Sequence, residues 1–378
     1  MKLCKIRLLS NNQLKNLRDH QYSCQGTTIL ERLFLLSYWD WLTLKVPIWI
    51  APNLITVVGL IVNVVTTLIL VWYSPDAKQE APKWACGFCA VGIFIYQTLD
   101  GIDGKQARRT GTANPLGELF DHGCDAISIV LLAVALCIGF QAGDIPEVML
   151  ISCFLGMTLF YLAHWQKYVS GTLHFGHIDV IEAEFATSCI LLVSSVFGPS
   201  VWSTKIFGLQ MEMKCIILII AGINAFFIIV TSLSVIFRAT VKNESTVAGT
   251  NALSPAIPLL IIVVFTFIIW QQSAEHIYEE HPCLFILTFG LATSKVCNSL
   301  MVAQMTKSGI NYINSSHLGA FIFFLNQCFG PFVKEYYLLW FCLVLVLIDL
   351  LLYCYQICAE ISDYLGVKVF KIPYLEQP

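Results

Sequence analysis

The sequence predicts an all-α integral membrane protein that forms a single membrane domain. Of its 378 residues, 57% are hydrophobic and only 12% are charged, and the mean hydropathy is +0.72. A soluble core does not need that much apolar side chain. The apolar residues also fall into runs long enough to cross a hydrocarbon layer of about 30 Å, so we expect a bundle of membrane-crossing helices.

The charge balance and the cysteines exclude two other classes. The net charge is −3 and the pI is about 6.2. The chain therefore has no overall basic field that would attract nucleic acid. The 15 cysteines are an odd number scattered through apolar runs, which does not indicate a disulfide framework.

The N-terminal part of the chain differs from the rest. Residues 1–28 are polar and lack the apolar segment of a cleavable signal peptide. Residues 29–50 mix Leu, Phe and Trp with acidic and basic side chains, which is typical of a helix lying at a membrane interface. We therefore predict a cytosolic N-terminal arm and an amphipathic interfacial helix over residues 1–50.

The remaining chain contains ten runs that predict transmembrane helices. The runs are 54–73, 84–101, 119–140, 147–165, 183–201, 214–237, 252–270, 282–303, 318–333 and 337–358. The ninth run is short, and the fifth begins with Glu182 and Glu184, so the count of ten is approximate. We expect a membrane domain over residues 51–358 and a cytosolic C-terminal tail over residues 359–378.

The positions of Lys and Arg predict the orientation of the chain. By the positive-inside rule, segments rich in these residues lie in the cytosol. Basic residues occur in the N-terminal arm and after the second, sixth and eighth runs: Lys2, Lys5, Arg7, Lys15, Arg18, Lys105, Arg108, Arg109, Arg238, Lys242 and Lys307. These segments all fall on one side of the predicted membrane, and we expect that side to face the cytosol.

Four carboxylates lie within 26 residues at this cytosolic edge. Asp100 and Asp103 stand three residues apart where one apolar run ends, and Asp121 and Asp125 stand four apart where the next begins. Each pair therefore lies on one helix face. Four clustered carboxylates repel one another unless cations lie among them, and oxygen ligands suit Mg²⁺ or Mn²⁺. The pattern predicts a metal site.

The residues around the carboxylates indicate phosphate chemistry. The short polar segment 110–114 brings the two pairs face to face as a helical hairpin. Gly104 and Gly117 lack bulk, which allows a ligand to approach closely. Arg108 lies on roughly the same face as Asp100 and supplies a bidentate donor for phosphate. Carboxylates, divalent metal and Arg together favour phosphoryl transfer at the membrane surface.

The same residues resemble a known family. The pattern Asp100-x-x-Asp103-Gly104-x-x-Ala107-Arg108, followed by Gly117-x-x-x-Asp121-x-x-x-Asp125, fills every position of the signature of the CDP-alcohol phosphotransferases. The resemblance extends over most of the chain. Within the family, the chain is similar to the eukaryotic choline/ethanolamine phosphotransferases. The segments that carry this second similarity are 51–56, 103–110, 115–123, 163–165 and 305–308.

This resemblance implies a fold, an activity and a set of site residues. It implies the fold of that family and an Mg-dependent transfer of phosphocholine, or phosphoethanolamine, from the CDP-alcohol to diacylglycerol with release of CMP. That reaction is the last step in making phosphatidylcholine or phosphatidylethanolamine. Two Mg²⁺ ions, for which Mn²⁺ can substitute, would be bound by Asp100, Asp103, Asp121 and Asp125. The substrate contacts would be Arg108 to a phosphate, Asn53 and Glu118 to the CDP moiety, and a tight turn at Gly104 that leaves the nucleotide room.

Two residues are candidates for the general base that takes the proton of the lipid hydroxyl. Asp125 is the fourth acid of the signature. His122 adjoins Asp121, and its imidazole stays free to accept a proton while the carboxylates bind metal. We favour His122. The resemblance also implies a homodimer, and we expect a multi-pass protein of the endoplasmic reticulum or Golgi. The positive-inside rule predicts that its site faces the cytosol.

Two other functions stay open at this point. An ethanolamine-selective enzyme of the same family is one, although Cys124 is similar to the choline and dual-specificity members. A cation-coupled membrane transporter is the other, because many spans with intramembrane charges suit an ion path. A transporter would place its acids near the bilayer midplane, whereas these lie at one edge of one hairpin.

Overall fold

The computed structural model describes residues 7–174, 176, 178–206, 210–241, 246–330 and 332–372. Of the basic residues used to predict orientation, Lys2, Lys5 and Lys242 lie outside these ranges. The helices are α1 (Asn11–Arg18), α2 (Leu36–Lys45), α3 (Pro52–Tyr73), α4 (Lys83–Arg109), α5 (Pro115–Phe140), α6 (Pro146–Ser170), α7 (Val180–Phe197), α8 (Met213–Val241), α9 (Ala256–Gln272), α10 (Ile277–Glu280), α11 (Pro282–Met305), α12 (Leu318–Cys328) and α13 (Glu335–Leu365).

Short elements complete the described chain. A π-helical turn, Glu31–Leu35, leads into α2, and 3₁₀ turns occupy Ala142–Asp144, Pro199–Ser203 and Ser315–His317. Strands β1 (Cys24–Gln25) and β2 (Leu173–His174) pair in parallel, with Cys24 opposite Leu173. This pairing attaches the N-terminal arm to the end of α6. The arm is therefore part of the folded molecule.

Local sequence explains where the central helices begin. Helices α3, α5, α6 and α11 each carry Pro at the first helical position, where the missing N–H leaves no hydrogen bond unmade. Asn114 caps α5 by accepting the Gly117 N–H at 3.0 Å. Residues 110–114 thus end one long helix and start the next with a short connection, as the sequence predicts.

Each of the ten apolar runs contains a helix, and eight helices in the described ranges are long and apolar enough to cross a membrane. The two shorter ones are α9, with 17 residues, and α12, with 11. An 11-residue helix falls well short of the roughly 20 residues that a crossing needs. The α12 helix ends early because Phe329 leaves the helical conformation and Gly330 adopts a left-handed φ of 94°.

The core surrounds α11. This helix packs against α5, α6 and α13, and nearly all of its residues are buried. A β-carbon on Gly290 would lie 2.6 Å from Val130 Cγ1, so α11 and α5 approach as closely as a glycine allows. On the other side of α5, α4 packs against α3 and α7. This arrangement fixes the hairpin of α4 and α5 at the centre of the bundle.

The segment around α2 has the character of an interfacial helix. It buries Trp39 and exposes Leu33, Trp41 and Leu44. Its carboxyl end is bound by Arg109, whose Nη1 donates to the carbonyls of Thr43 and Val46 at 2.6 and 2.7 Å. Lys105 of α4 and Asp40 of α2 form an ion pair, with 2.6 Å between Lys105 Nζ and Asp40 Oδ1. The basic end of α4 therefore holds α2 beside the hairpin.

The two ends of the described chain meet. The backbone N–H groups of Leu8 and Leu9 donate to the two carboxylate oxygens of Glu360 at 2.8 and 2.9 Å. Helix α13 continues to Leu365, past position 358, where we expect the tail to begin. The division into an arm, a membrane domain and a tail stays a prediction.

Candidate active site

The hairpin of α4 and α5 brings three of the four aspartates together. One carboxylate oxygen from each of Asp100, Asp103 and Asp121 lies within 4.8 Å of the others. These three residues could hold a metal ion. The sequence predicts this grouping. Asp100 and Asp103 are three residues apart on α4, and the short connection to α5 brings Asp121 to the same level.

The oxygen atoms of this group are suited to a hard cation. The Oδ1 atoms of Asp100 and Asp121 are buried and have no hydrogen-bond partner in the protein. A buried carboxylate oxygen without a partner costs free energy unless a cation compensates it. Asp103 is oriented by a short hydrogen bond from the Thr56 hydroxyl of α3. The residues present therefore fit a divalent metal ion.

Asp125 is bound differently. Its Oδ1 accepts a 2.5 Å hydrogen bond from the Tyr96 hydroxyl of α4. It interacts electrostatically with Asp100, yet it lies outside the group of three that could share one ion. Three of the four predicted ligands thus form one group in the structure, and the fourth, Asp125, is oriented by a tyrosine that carries no local signal in the sequence.

A cavity of about 1000 Å³ opens over the carboxylates. The predicted substrate contacts Asn53, Gly104, Arg108 and Glu118 all line it, and so does His122. Gly104 lies inside α4 and not in a tight turn, so that expectation was wrong. Helix α4 continues through Gly104 to Arg109, because its backbone hydrogen bonds still form after the apolar run has ended. A β-carbon at Gly104 would lie 3.6 Å from Arg108 Nη1, so the absent side chain leaves space beside the arginine.

Glu118 is the centre of a charged cluster. Its Oε1 lies 2.6 Å from Lys167 Nζ of α6, and its Oε2 lies 2.9 Å from His20 Nε2 of the N-terminal arm. Lys167 also lies over the ring of Tyr22, with 5.1 Å from Nζ to the ring centroid. Because both the lysine and the glutamate are buried, each compensates the charge of the other. The cluster fixes the arm against the first turn of α5.

His122 lies between the arm and α6. Its ring centroid is 6.0 Å from that of Tyr22 and 5.2 Å from that of His164. His164 in turn packs edge-on against Phe160 at 4.8 Å. Aromatic rings on both sides orient the imidazole, which lines the cavity close to the aspartates.

Several site residues were missed by sequence reasoning. Lys167 had a usable signal, because a charge near the end of an apolar run is a functional candidate. Thr56 lies within a segment that resembles the family. His20, Tyr22 and Tyr96 carry no local signal, because their partners are distant in sequence; His20 and Glu118, for example, are separated by 98 positions.

Comparison with known proteins identifies the family to which this chain belongs. The sequence model of the family described as CDP-alcohol phosphatidyltransferase matches residues 49–210, which include the whole hairpin. The chain is 44% identical over 371 residues to Cholinephosphotransferase 1 of Danio rerio, covering 96% of this chain and 95% of that protein. It is 43% identical over 373 residues to Cholinephosphotransferase 1 of Homo sapiens, covering 98% and 91%. The chain belongs to the CDP-alcohol phosphatidyltransferase family.

Proposed function

We propose that this protein transfers phosphocholine from CDP-choline to diacylglycerol, releasing CMP and forming phosphatidylcholine as the last step of the CDP-alcohol pathway. The observation that carries the proposal is the cavity in which three aspartates converge beside Arg108. The similarity to Cholinephosphotransferase 1 over nearly the whole chain supports the choice of substrate. Membership of this family decides against the transporter alternative.

Asp100, Asp103, Asp121 and Asp125 would together hold two Mg²⁺ ions, with Mn²⁺ as a substitute. When bound, these ions would screen the charge of the diphosphate and stabilise the charge that develops during transfer. Thr56 and Tyr96 orient two of the ligands, Asp103 and Asp125, from behind. Such fixed orientation keeps the carboxylates in place before the substrate arrives.

The protein's own residues would perform the remaining steps. The lipid hydroxyl oxygen attacks the phosphorus that bears choline, the new P–O bond forms, and the P–O bond to CMP breaks. His122 takes the proton of the attacking hydroxyl on an imidazole nitrogen. Asp125 is the weaker candidate for this step, because one of its oxygens already accepts the Tyr96 hydroxyl. CMP leaves with the electron pair of the broken bond.

Substrate binding would use the predicted contacts. Arg108 donates to a phosphate, and the space beside Gly104 accommodates the nucleotide. Asn53 and Glu118 contact the CDP moiety. Both also bond within the protein, Asn53 to the Val369 carbonyl and Glu118 to Lys167 and His20. These bonds position the two side chains at the cavity wall.

The surroundings of the cavity suit one polar and one apolar substrate. The cavity has apolar lining residues, among them Leu36, Trp39 and Ile181. Diacylglycerol would enter the cavity from the membrane along these residues. CDP-choline is charged and cannot cross a bilayer, so the polar part of the cavity would face the cytosol. The family resemblance is the basis on which we further propose a homodimer in the endoplasmic reticulum or Golgi membrane.

A head-group competition tests the proposal. Purified protein would receive diacylglycerol and Mg²⁺ with equal amounts of CDP-choline and CDP-ethanolamine, and the two phospholipids and CMP would be quantified. We expect phosphatidylcholine with an equal amount of CMP. Phosphatidylethanolamine as the main product would establish the ethanolamine-selective alternative. Cys124, on which the sequence comparison of head groups depends, is buried and is not among the residues that line the cavity.

A further inference from the structure

The segment that follows α13 stays packed against the rest of the protein. Gly366 closes the helix in the left-handed conformation, with a φ of 66°. The Val367 N–H then donates to the Ser362 carbonyl at 3.2 Å, and the Ser362 hydroxyl donates to the Val367 carbonyl at 2.5 Å. These bonds start a defined segment, residues 366–372, that we call the C-terminal strap.

Three contacts hold the strap against the first turns of α3 and α5. Asn53 Nδ2 donates to the Val369 carbonyl at 2.9 Å. Phe370 packs edge-on against Phe120, with ring centroids 5.7 Å apart. Ile372 is only 3% exposed. A side-chain hydrogen bond, a ring contact and a buried anchor make the strap part of the fold.

The strap also forms part of the wall of the cavity above the aspartates. Val367, Lys368, Val369 and Lys371 line it. The two lysines are exposed, so these residues lie where the cavity meets solvent. The residue between them in sequence, Val369, is the one that Asn53 holds by its carbonyl.

The strap supplies half of the lysine and arginine residues of this cavity. In the described part of the chain, four such residues line it: Lys105, Arg108, Lys368 and Lys371. A nucleoside diphosphate ester brings two phosphates into a site built around carboxylates, so additional cations at the entrance favour its binding.

We propose that the strap is a wall of the nucleotide site in which Lys368 and Lys371 bind phosphate oxygens of the CDP-alcohol. Asn53 positions the backbone between them. This inference rests on the proposed function, because it concerns the same substrate. A lysine ammonium is a mobile point charge with three donors, which suits a phosphate that arrives on CDP-choline and leaves on CMP.

Steady-state kinetics of full-length variants test the inference. In the double variant Lys368→Ala/Lys371→Ala, the KM for CDP-choline should rise about tenfold. This change corresponds to the summed binding free energy of two exposed charge contacts. The KM for diacylglycerol and kcat should stay close to wild type. Lys368→Arg/Lys371→Arg should keep most of the affinity. Lys334→Ala is the matched control, since it removes an exposed lysine at the other end of α13.

An unchanged KM for CDP-choline in the double alanine variant would overturn the inference. So would a loss confined to kcat, because a strap that only supports the fold would lower activity without a selective effect on nucleotide affinity.

Limited digestion of the wild-type protein with trypsin gives a readout that does not depend on turnover. Trypsin cleaves after lysine, so bound CDP-choline should slow cleavage at Lys368 and Lys371 but not at Lys334. Protection in a preparation that makes no phosphatidylcholine would support the strap and reject the proposed function. An active preparation without protection would reject the strap alone.

Discussion

Trp39 packs directly onto Gly101, the residue that follows Asp100, and its indole atoms fill the space that a β-carbon on Gly101 would need. The interfacial helix α2 therefore touches α4 at the level of the aspartates. This contact makes the position of Asp100 depend on a helix that lies outside the membrane bundle.

The first prediction concerns this contact. Gly101→Ala should displace Trp39 and lower activity by about tenfold or more, because overpacking costs roughly 1–3 kcal/mol and shifts the neighbouring helix. Phosphatidylcholine formation would be measured together with thermal unfolding. Gly156→Ala on α6 is the matched control, since no atom lies within 4 Å of its β-carbon position. Equal activity of the two variants would show that α2 does not position the site.

The aspartates themselves give the second prediction. Asp100→Ala, Asp103→Ala, Asp121→Ala and Asp125→Ala should each reduce transfer by at least about 10³-fold, because each loss removes charge stabilisation of several kcal/mol. The variants should still insert and unfold cooperatively, because folding depends on the buried spans. Asp144→Ala is the control, since that carboxylate pairs with Lys214. Near-normal rates in any two of the four variants would contradict the assignment.

Metal removal is the third prediction. Transfer should stop in excess EDTA and return when Mg²⁺ or Mn²⁺ is added, because the two buried oxygens without partners need a cation before a diphosphate can approach. Full turnover under chelation would exclude a metal-dependent site. Direct measurement of Mn²⁺ binding by electron paramagnetic resonance checks the site apart from activity, and Asp121→Ala should weaken that binding.

The fourth prediction separates the two candidate bases. His122→Ala should lose about 10²- to 10⁴-fold in rate and keep its affinity for CDP-choline, because the imidazole packs against aromatic rings and is not among the proposed nucleotide contacts. If Asp125 is the base, His122→Gln should retain its rate and the acid limb of its pH profile should not change. The rate against pH and the nucleotide binding of these two His122 variants decide the question. Collapse of binding together with rate would make His122 a nucleotide contact.

Orientation is the fifth prediction. Ala113 is an exposed residue between α4 and α5, and a cysteine placed there should react with an impermeant thiol reagent added outside sealed microsomes. The signal is the increase over the parent protein, whose exposed thiols include Cys24 and Cys328. Reaction only after the vesicles are opened would place the site in the lumen and invert the orientation.

The sequence was sufficient for features that depend on neighbours in the chain. The hairpin follows from helical spacing on each side of residues 110–114, and the helices follow from hydropathy. Boundaries were less accurate: α4 continues to Arg109 because a helix is maintained by backbone bonds after the apolar run has ended. The short α12 was predicted as a span because its apolar run extends beyond the residue where the helix stops.

Contacts between distant segments could not be predicted. Nothing near His20 indicates that it binds Glu118, and nothing near Lys368 indicates that it lines the same cavity as Asp100. Such contacts depend on how α6 and α13 pack, which single-sequence periodicity does not specify. The aspartates and the cavity residues contributed by α3, α4 and α5 were therefore predictable, whereas the residues contributed by the N-terminal arm and the strap were not.

The bond between the N-terminal arm and α13 also bears on biosynthesis. Glu360, which accepts the N–H groups of Leu8 and Leu9, is made 352 residues after Leu8. The hairpin with its aspartates leaves the ribosome much earlier, when the N-terminal arm has no glutamate on which to dock. A nascent chain thus carries the aspartates before it carries the finished cavity, because Val367, Lys368, Val369 and Lys371 of the strap form part of the cavity wall.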